Sequence, residues 1–189
     1  AAGVFFCGYL LFQVPSNLAL LRFGPRRWLA CILLAWGLIS MGMALVHSGA
    51  SLIGVRFLLG LAEAGFFPGV ILYLTRWFPQ QYRARIIAGF MFAIPISSII
   101  GAPVSGLILK TMAGNHGLAS WQWLFIIESL PALVGAGAIL LWLPDRPDTA
   151  PWLSEAERAW LQSQQPAEQQ PMERQPMEEQ PGQPPPSGW

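Results

Sequence analysis

The sequence has very few charged side chains for its length, since only 11% of its 189 residues are Asp, Glu, Lys or Arg. Soluble domains usually carry about 25% charged residues. The charges are also clustered, and long stretches without any charge lie between the clusters. This pattern excludes an ordinary soluble domain, and the formal net charge of +1 gives no reason to expect nucleic acid as a partner.

Side chains that bind metals or act as nucleophiles are equally scarce. Both cysteines, Cys7 and Cys31, lie inside apolar runs, and both histidines, His47 and His116, stand alone in short polar segments. Buried thiols in helices are more often packing residues than ligands or disulfide partners. We therefore expect no metal, no cofactor and no enzymatic activity.

What the sequence has instead is a set of long apolar runs. A helix needs about 20 mainly apolar residues to cross the hydrocarbon core of a bilayer, and each run is close to that length. A chain of this size could not surround so many buried helices in water. The predicted fold is an all-α polytopic membrane protein with about five transmembrane helices in a bundle over residues 1–146. The predicted spans are residues 3–21, 28–46, 52–75, 86–109 and 123–143.

The residues after the bundle divide into two parts. Residues 147–162 contain a short amphipathic helix, for which Ser154 can act as N-cap with Glu155 and Glu157 in the first turn. From Ser163 the composition changes to Gln, Pro and Glu, and such a segment cannot bury a core. We predict a disordered tail over 163–189, which is either a regulatory tail or the product of an altered reading frame or a truncation.

Basic residues are concentrated in the loops on one side of the predicted bundle, whereas Lys110 stands alone on the other side. Loops rich in Lys and Arg stay in the cytoplasm. We therefore predict a multi-pass protein of the plasma (bacterial inner) membrane, with the Arg-rich loops and the C-terminal tail in the cytoplasm. The chain opens without a charged n-region, so we expect a further helix upstream rather than a signal peptide. The basic residues on the Arg-rich side are Arg22, Arg26, Arg27, Arg76, Arg83, Arg85, Arg146 and Arg158.

Small residues recur at four-residue spacing in two of the runs. Gly65 and Gly69 form a GxxxG pair in the third span. Such spacing places small side chains on one stripe of a helix, where a partner helix can approach closely. The second stripe, in the fourth span, consists of Ala93, Ser97, Gly101 and Ser105.

Two charges, Arg56 and Glu63, lie inside the third predicted span. A charge at the bilayer centre costs at least a few kcal/mol, and such residues usually mark a pathway through the bundle. Their spacing puts both on nearly the same face, about 10 Å apart along the axis. At the position of Glu63 the ionised form of a carboxyl group is disfavoured, which a proton carrier needs. The guanidinium group of Arg56 can bind a carboxylate with two hydrogen bonds. The alternative is that each forms an interhelical ion pair that only holds the bundle together.

Other polar residues also interrupt the apolar runs. Tyr9, Gln13 and Asn17 recur every four residues on the first span, and this stripe either lines a cavity or supplies interhelical hydrogen bonds. Glu128, in the fifth span, is either a second ionisable site or a capping or interface residue. The candidate substrate-binding residues are Arg56, Tyr9, Gln13 and Asn17, with Glu63 as candidate proton-coupling residue and Glu128 as candidate secondary ionisable residue.

Several sequence blocks stand in a recognisable order, and their spacing is specific over residues 1–162. They resemble the major facilitator superfamily and, within it, the anion:cation symporter family. The resemblance implies that the spans are helices two to six of a twelve-helix transporter, which would need its first helix and its C-terminal half to be complete. The blocks are Gly8-Tyr9, Val14-Pro-Ser-Asn17, Arg56-Phe-Leu-Leu-Gly-Leu-Ala-Glu-Ala-Gly-Phe-Phe-Pro-Gly69, Tyr73-Leu-Thr-Arg-Trp-Phe-Pro79, Arg83-Ala-Arg85 and Trp121-Gln-Trp-Leu-Phe-Ile-Ile-Glu128.

The resemblance also implies a function, because members of this family import organic anions such as sugar acids, tartrate and phthalate, usually with protons. The family's substrate-contacting Arg and proton-coupling Glu fall on Arg56 and Glu63, and its cavity-lining Tyr falls on Tyr9. We therefore expect a secondary active transporter that imports a small organic anion with a proton. The loop after the first span departs from the superfamily pattern, since Leu21 stands in place of an acid. The alternatives are a facilitator or efflux carrier of the same fold for another small solute, and a truncated half that does not transport.

Overall fold

The computed structural model describes residues 2–147 and 150–164, and the regular structure within these ranges is entirely helical. Two short 3-10 turns, Met43–Leu45 and Asn115–Gly117, accompany the α-helices. Most of the predicted tail, residues 165–189, lies outside the described residues. The α-helices are α1 (Ala2–Phe23), α2 (Pro25–Gly42), α3 (Gly49–Glu63), α4 (Phe66–Trp77), α5 (Gln80–Met91), α6 (Ala93–Thr111), α7 (Ser120–Trp142) and α8 (Glu155–Gln164).

Five helical segments in the described part of the chain are long and apolar enough to cross a membrane, and we number them spans 1 to 5. This confirms the prediction of an all-α chain with about five transmembrane helices. Spans 3 and 4 each consist of two consecutive helices, α3 with α4 and α5 with α6. The segments are Ala2–Phe23, Pro25–Leu45, Gly49–Trp77, Gln80–Thr111 and Ser120–Trp142.

Span 3 is interrupted between Glu63 and Phe66. The cause is Pro68, in the first turn of α4, which has no N–H and whose ring would clash with the carbonyl group of Ala64. The helix therefore breaks one turn before the proline, and Glu63 becomes the last residue of α3. The sequence pattern thus places a charged side chain at an irregular point in the middle of a span.

Spans 1 and 3 cross at closely apposed backbones, where α1 packs along α3. A Cβ atom added to Gly8 of α1 would lie 2.5 Å from the carbonyl oxygen of Phe57. Gly60 of α3 faces the backbone of Phe5 and Tyr9 in the same way. Only glycine at both positions permits this distance between the helices, since a side chain at either would force them apart.

The GxxxG pair of span 3 extends this contact. Gly65 lies against Ser16 of span 1, and a Cβ atom added to Gly69 would lie 2.9 Å from Leu29 of span 2. Span 2 in turn packs along most of α7. Spans 1, 2, 3 and 5 therefore form a continuous packed body, and α6 joins it through its contact with α7.

Candidate functional site

Arg56 and Glu63 both lie on α3, and both are partly buried. They flank Gly60, the residue at which α3 meets α1. Within residues 2–147 and 150–164, neither side chain forms a hydrogen bond or an ion pair. The described part of the bundle therefore does not contain the interhelical ion pairs that were the structural alternative for these two charges.

The polar stripe of α1 lies beside these charges. The backbone of Tyr9 contacts α3 at Gly60, between the levels of Arg56 and Glu63. The ring of Tyr9 packs near that of Phe5, with 6.2 Å between their centroids, and its side chain stays partly exposed. The structure therefore brings Tyr9 to the same crossing as the two charges.

Gln13 and Asn17 continue the stripe along α1 beyond Tyr9. Both are partly buried, and neither side chain takes part in a hydrogen bond among the described residues. Interhelical hydrogen bonding, one of the two roles considered for this stripe, is therefore not realised in the described part of the chain. Their free amide groups remain able to meet a polar group from outside it.

Glu128 occupies a different part of the bundle. It is an exposed residue of α7, and its carboxylate accepts a hydrogen bond from the hydroxyl group of Ser105 on α6. Because α7 packs against α2 and α6, Glu128 does not join the crossing of α1 and α3. Its observed contact is the one expected of a residue at the interface between spans 4 and 5.

Ser16 joins two spans, a role that its sequence pattern did not predict. It is almost fully buried, with 1% of its surface exposed, and its hydroxyl oxygen accepts a hydrogen bond of 3.0 Å from the indole N–H of Trp28. The same side chain fills the space beside Gly65, at the break in span 3. The available signal was a small polar residue in an apolar helix, since such residues often join neighbouring spans.

Asp145 connects the ends of the spans on the Arg-rich side. Its carboxylate accepts a hydrogen bond of 2.9 Å from the backbone N–H of Arg26, in the first turn of α2. Gly24, with φ of 82°, lies directly against this carboxylate, and a side chain would be strained there. An acid that follows span 5 therefore binds the first turn of α2, close in sequence to Leu21, which stands in place of an acid.

Two further bonds strengthen the same end. The guanidinium group of Arg26 donates to the carbonyl oxygen of Leu140, and the hydroxyl group of Tyr73 donates to that of Pro144 at 3.2 Å. The first bond links the start of span 2 to span 5, and the second links span 3 to the residues after span 5. These hydrogen bonds link spans 2, 3 and 5 at one end of the bundle in which α1 and α3 carry Tyr9, Arg56 and Glu63.

Comparison with known proteins identifies relatives over most of this chain. Residues 1–181 match the model of the Major Facilitator Superfamily. A protein named "Putative tartrate transporter" from Agrobacterium vitis is 52% identical over 167 residues, which are 88% of this chain and 38% of that protein. A "Quinolone resistance transporter" from Acinetobacter baumannii is 49% identical, over 86% of this chain and 37% of its own length.

A third relative is the "Inner membrane transport protein RhmT" of Escherichia coli (strain K12). It is 42% identical over 168 residues, which are 88% of this chain and 39% of that protein. The chain thus spans less than half the length of each of these curated relatives, although they match it over most of its own length.

Proposed function

We propose that this chain, which belongs to the major facilitator superfamily, forms part of a secondary transporter that imports a small organic anion together with a proton. Membership of that superfamily and five apolar helices make it a multi-pass integral membrane protein. The observation that carries the proposal is the pair Arg56 and Glu63, two charges inside span 3 with no partner among the described residues. Charges in such a place are too costly to be retained without a use.

Arg56 is the proposed substrate anchor. A guanidinium group keeps its charge under all physiological conditions, and its planar fork matches a carboxylate with two parallel hydrogen bonds. Tyr9 lies at the same helix crossing and supplies a hydroxyl group, while Gln13 and Asn17 supply amide groups along α1. In transporters of this kind the substrate binds near the midplane between two halves of the protein. The proposed substrate is therefore a small carboxylate or sugar acid.

Glu63 is the proposed proton carrier. It lies at the break in span 3, where neighbouring backbone is irregular, and its carboxyl group is partly buried. Burial favours the neutral form, and a nearby anionic substrate favours it further. Binding of the anion and uptake of the proton would therefore support each other, as symport requires. Glu128, at the contact with Ser105, is proposed as an interface residue rather than a second carrier.

The proposed orientation follows the distribution of arginine. The end of the bundle that contains Arg26, Asp145 and the turn between spans 3 and 4 faces the cytoplasm. Residues 147–162, including most of α8, then form a cytoplasmic segment after the bundle of residues 1–146, and the tail of 163–189 lies on the same side.

A chimaeric transporter tests the proposal. The aligned part of this chain replaces its counterpart in the Agrobacterium vitis relative, and uptake of labelled tartrate is measured in vesicles with and without an inward proton gradient. We expect Glu63→Gln to abolish gradient-driven uptake, and Arg56→Lys to raise the KM about 10-fold or more, since a bidentate charged hydrogen bond is lost. Glu128→Gln and Arg27→Lys are the matched controls and should transport normally. Gradient-driven uptake by the Glu63→Gln chimaera would refute the coupling role.

Export is the second candidate, because one relative at 49% identity is a quinolone resistance transporter. Arg56 argues against a cationic cargo, since it would repel a cation in the low dielectric of the bundle. The same chimaera distinguishes the two functions: an exporter would lower the susceptibility of its host to quinolones without accumulating tartrate. Tartrate uptake by this chain reconstituted alone would refute the remaining alternative of a half that does not transport.

A further inference from the structure

A groove of about 510 Å³ lies at the Arg-rich end of the bundle, away from the crossing of α1 and α3. It is formed where span 3 ends, span 4 begins and the segment after span 5 returns to the bundle. Trp77 ends α4, Tyr82 and Arg85 belong to the first turns of α5, and Trp152 and Trp160 come from the returning segment. Its volume is typical of sites that hold a ligand, about 300–1,000 Å³.

The aromatic rings of this groove are only partly used by the protein itself. Trp77 and Trp152 stack at 6.0 Å with an angle of 19° between their planes. Tyr82, Trp152 and Trp160 nevertheless remain 45%, 59% and 47% exposed. Trp and Tyr are enriched where a membrane meets water, because one part of each ring is apolar and another is polar. The groove lies at the ends of two spans, and its aromatic lining has the composition of that interface.

Arg85 gives the groove its charge. It is the charged side chain among the lining residues, it is exposed, and it forms no hydrogen bond or ion pair within the described ranges. Arg83 is close in the chain, but its guanidinium group donates to the carbonyl oxygens of Phe78 and Thr75 at 3.0 and 2.9 Å. Arg85 is therefore a cation without a partner among the described residues, beside an apolar surface, and the complementary occupant is an anion with an apolar part.

The helix α8 forms one wall of the groove. Its first turn is fixed by Ser154 and Glu157, which exchange hydrogen bonds as an N-cap pair, and Arg158 donates to the carbonyl oxygen of Ala150 at 2.8 Å. Trp160 and Leu161 face the groove, while the acidic residues lie on exposed positions. An amphipathic helix with Trp and Leu on one side is the form that lies in the plane of a membrane surface.

We propose that this groove binds an anionic phospholipid of the adjacent leaflet, with its phosphate group on Arg85 and an acyl chain along Trp77, Trp152 and Trp160. Charge complementarity and position at the ends of two spans both favour a lipid. A peptide would bring many backbone N–H and C=O groups that an apolar lining with one cation leaves without partners. The competing occupant within this chain is its own segment of residues 165–189.

Native mass spectrometry of the full chain from mixed micelles of phosphatidylglycerol and phosphatidylcholine tests the proposal. We expect one phosphatidylglycerol to be retained in preference to phosphatidylcholine. Arg85→Gln should lower the affinity about fivefold, in line with one cation near a lipid phosphate. Arg27→Gln, which alters an exposed arginine in the first turn of α2 on the same side, is the matched control and should retain the lipid. Equal losses in both variants, or no preference between the lipids, would overturn the proposal.

A fluorescence experiment keeps the test independent of the arginine variants. Phosphatidylglycerol with brominated acyl chains quenches nearby tryptophans, and the quenching should fall in Trp160→Leu relative to Trp142→Leu, which removes an exposed ring of span 5 outside the groove. Unchanged quenching in Trp160→Leu would place the lipid elsewhere. Lipid retention that appears only after deletion of residues 165–189 would identify that segment as the occupant and refute the lipid in the intact chain.

Discussion

Spans 3 and 4 follow each other in the chain and are about equally apolar, yet they have opposite surroundings. Several residues of span 3 are buried between spans 1 and 2, whereas no residue in the most apolar part of span 4 is buried by the described chain. The difference arises from where small residues meet a partner. Gly60, Gly65 and Gly69 all contact other helices, while an added Cβ atom at Gly101 of span 4 would meet nothing within 4 Å.

The same two spans differ in charge. Span 3 carries Arg56 and Glu63 on the helix that packs most closely, and the apolar part of span 4 carries none. Span 3 packs closely through its glycines, since Gly60 meets the backbone of α1, and Gly65 and Gly69 meet side chains of spans 1 and 2. The charged side chains are thereby left available, because the packing of the helix does not depend on them. Apolarity alone makes a helix a membrane span, but the position of its small residues decides whether it can present a site.

The largest expected effect tests this difference directly. Gly60→Leu forces a side chain into the backbone of α1 at Phe5, and two packed helices have to separate. We expect it to destabilise the chain by about 3 kcal/mol or more, as strong overpacking does. The measurement is unfolding in mixed micelles, followed by tryptophan fluorescence as the fraction of denaturing detergent is raised.

Gly101→Leu is the matched control, since it adds the same side chain to a glycine of span 4 that has open space around it. We expect it to be neutral or to stabilise the chain by up to about 1 kcal/mol, because leucine is the better helix former. Equal destabilisation by the two substitutions would contradict the view that glycines are packed against other helices in span 3 but not in span 4.

The two spans also show how much of the helix packing can be predicted from the sequence. Charge scarcity and run length were sufficient for five membrane helices, and GxxxG spacing correctly indicated close packing at Gly65 and Gly69. The same spacing in span 4 predicted packing that Gly101 does not have in the described chain. A spacing rule states that one surface of a helix is smooth, but the partner that meets it depends on the arrangement of all the helices.

Long-range polar contacts could not be predicted from the sequence for the same reason. Arg56 and Glu63 could be identified from the sequence, because a charge within an apolar run is recognisable without knowledge of its partner. The bond between Asp145 and the backbone of Arg26 joins positions that are 119 residues apart in the sequence, so no local sequence pattern predicts it. The roles of Arg56, Glu63, Tyr9, Gln13 and Asn17 stay predictions until transport is measured.

A smaller effect is expected from the buried hydrogen bond between spans 1 and 2 that lies against Gly65 of span 3. Ser16→Ala removes the acceptor for the indole N–H of Trp28 and leaves a gap beside Gly65. An unsatisfied donor in the bundle should lower the free energy of unfolding by about 1–2 kcal/mol. Thermal unfolding in detergent measures this change.

Ser97→Ala provides the contrast in span 4. The hydroxyl group of Ser97 is exposed and donates only to the carbonyl oxygen of Ile94 in its own helix. Its removal should change stability by less than about 0.5 kcal/mol. A loss as large as that of Ser16→Ala would mean that burial between spans does not distinguish the two serines.

The smallest effect concerns α8, which lies beside the turn that joins the two spans. Hydrogen bonds from the backbone N–H and the hydroxyl group of Ser154 lower the pKa of Glu157 below its ordinary value of 4.5. A carboxyl group with a lowered pKa in the folded state stabilises the fold above its unfolded pKa and loses that contribution as the pH falls through the folded pKa. The cap of α8 should therefore be intact at neutral pH and weaken below about pH 4.5.

Hydrogen exchange at several pH values, corrected for the intrinsic rate at each, measures this change. Protection of the first turn of α8 should decrease as the pH is lowered below about 4.5 and the folded carboxylate becomes protonated, while α3 and α6 keep theirs. In Ser154→Ala the first turn should already be less protected at pH 7, and its dependence on acid should be smaller but still present, because the hydroxyl group is gone while the backbone N–H, which lowers the pKa most, remains. If the first turn of the unaltered chain stays equally protected throughout, the N-cap does not hold α8 against the junction of spans 3 and 4.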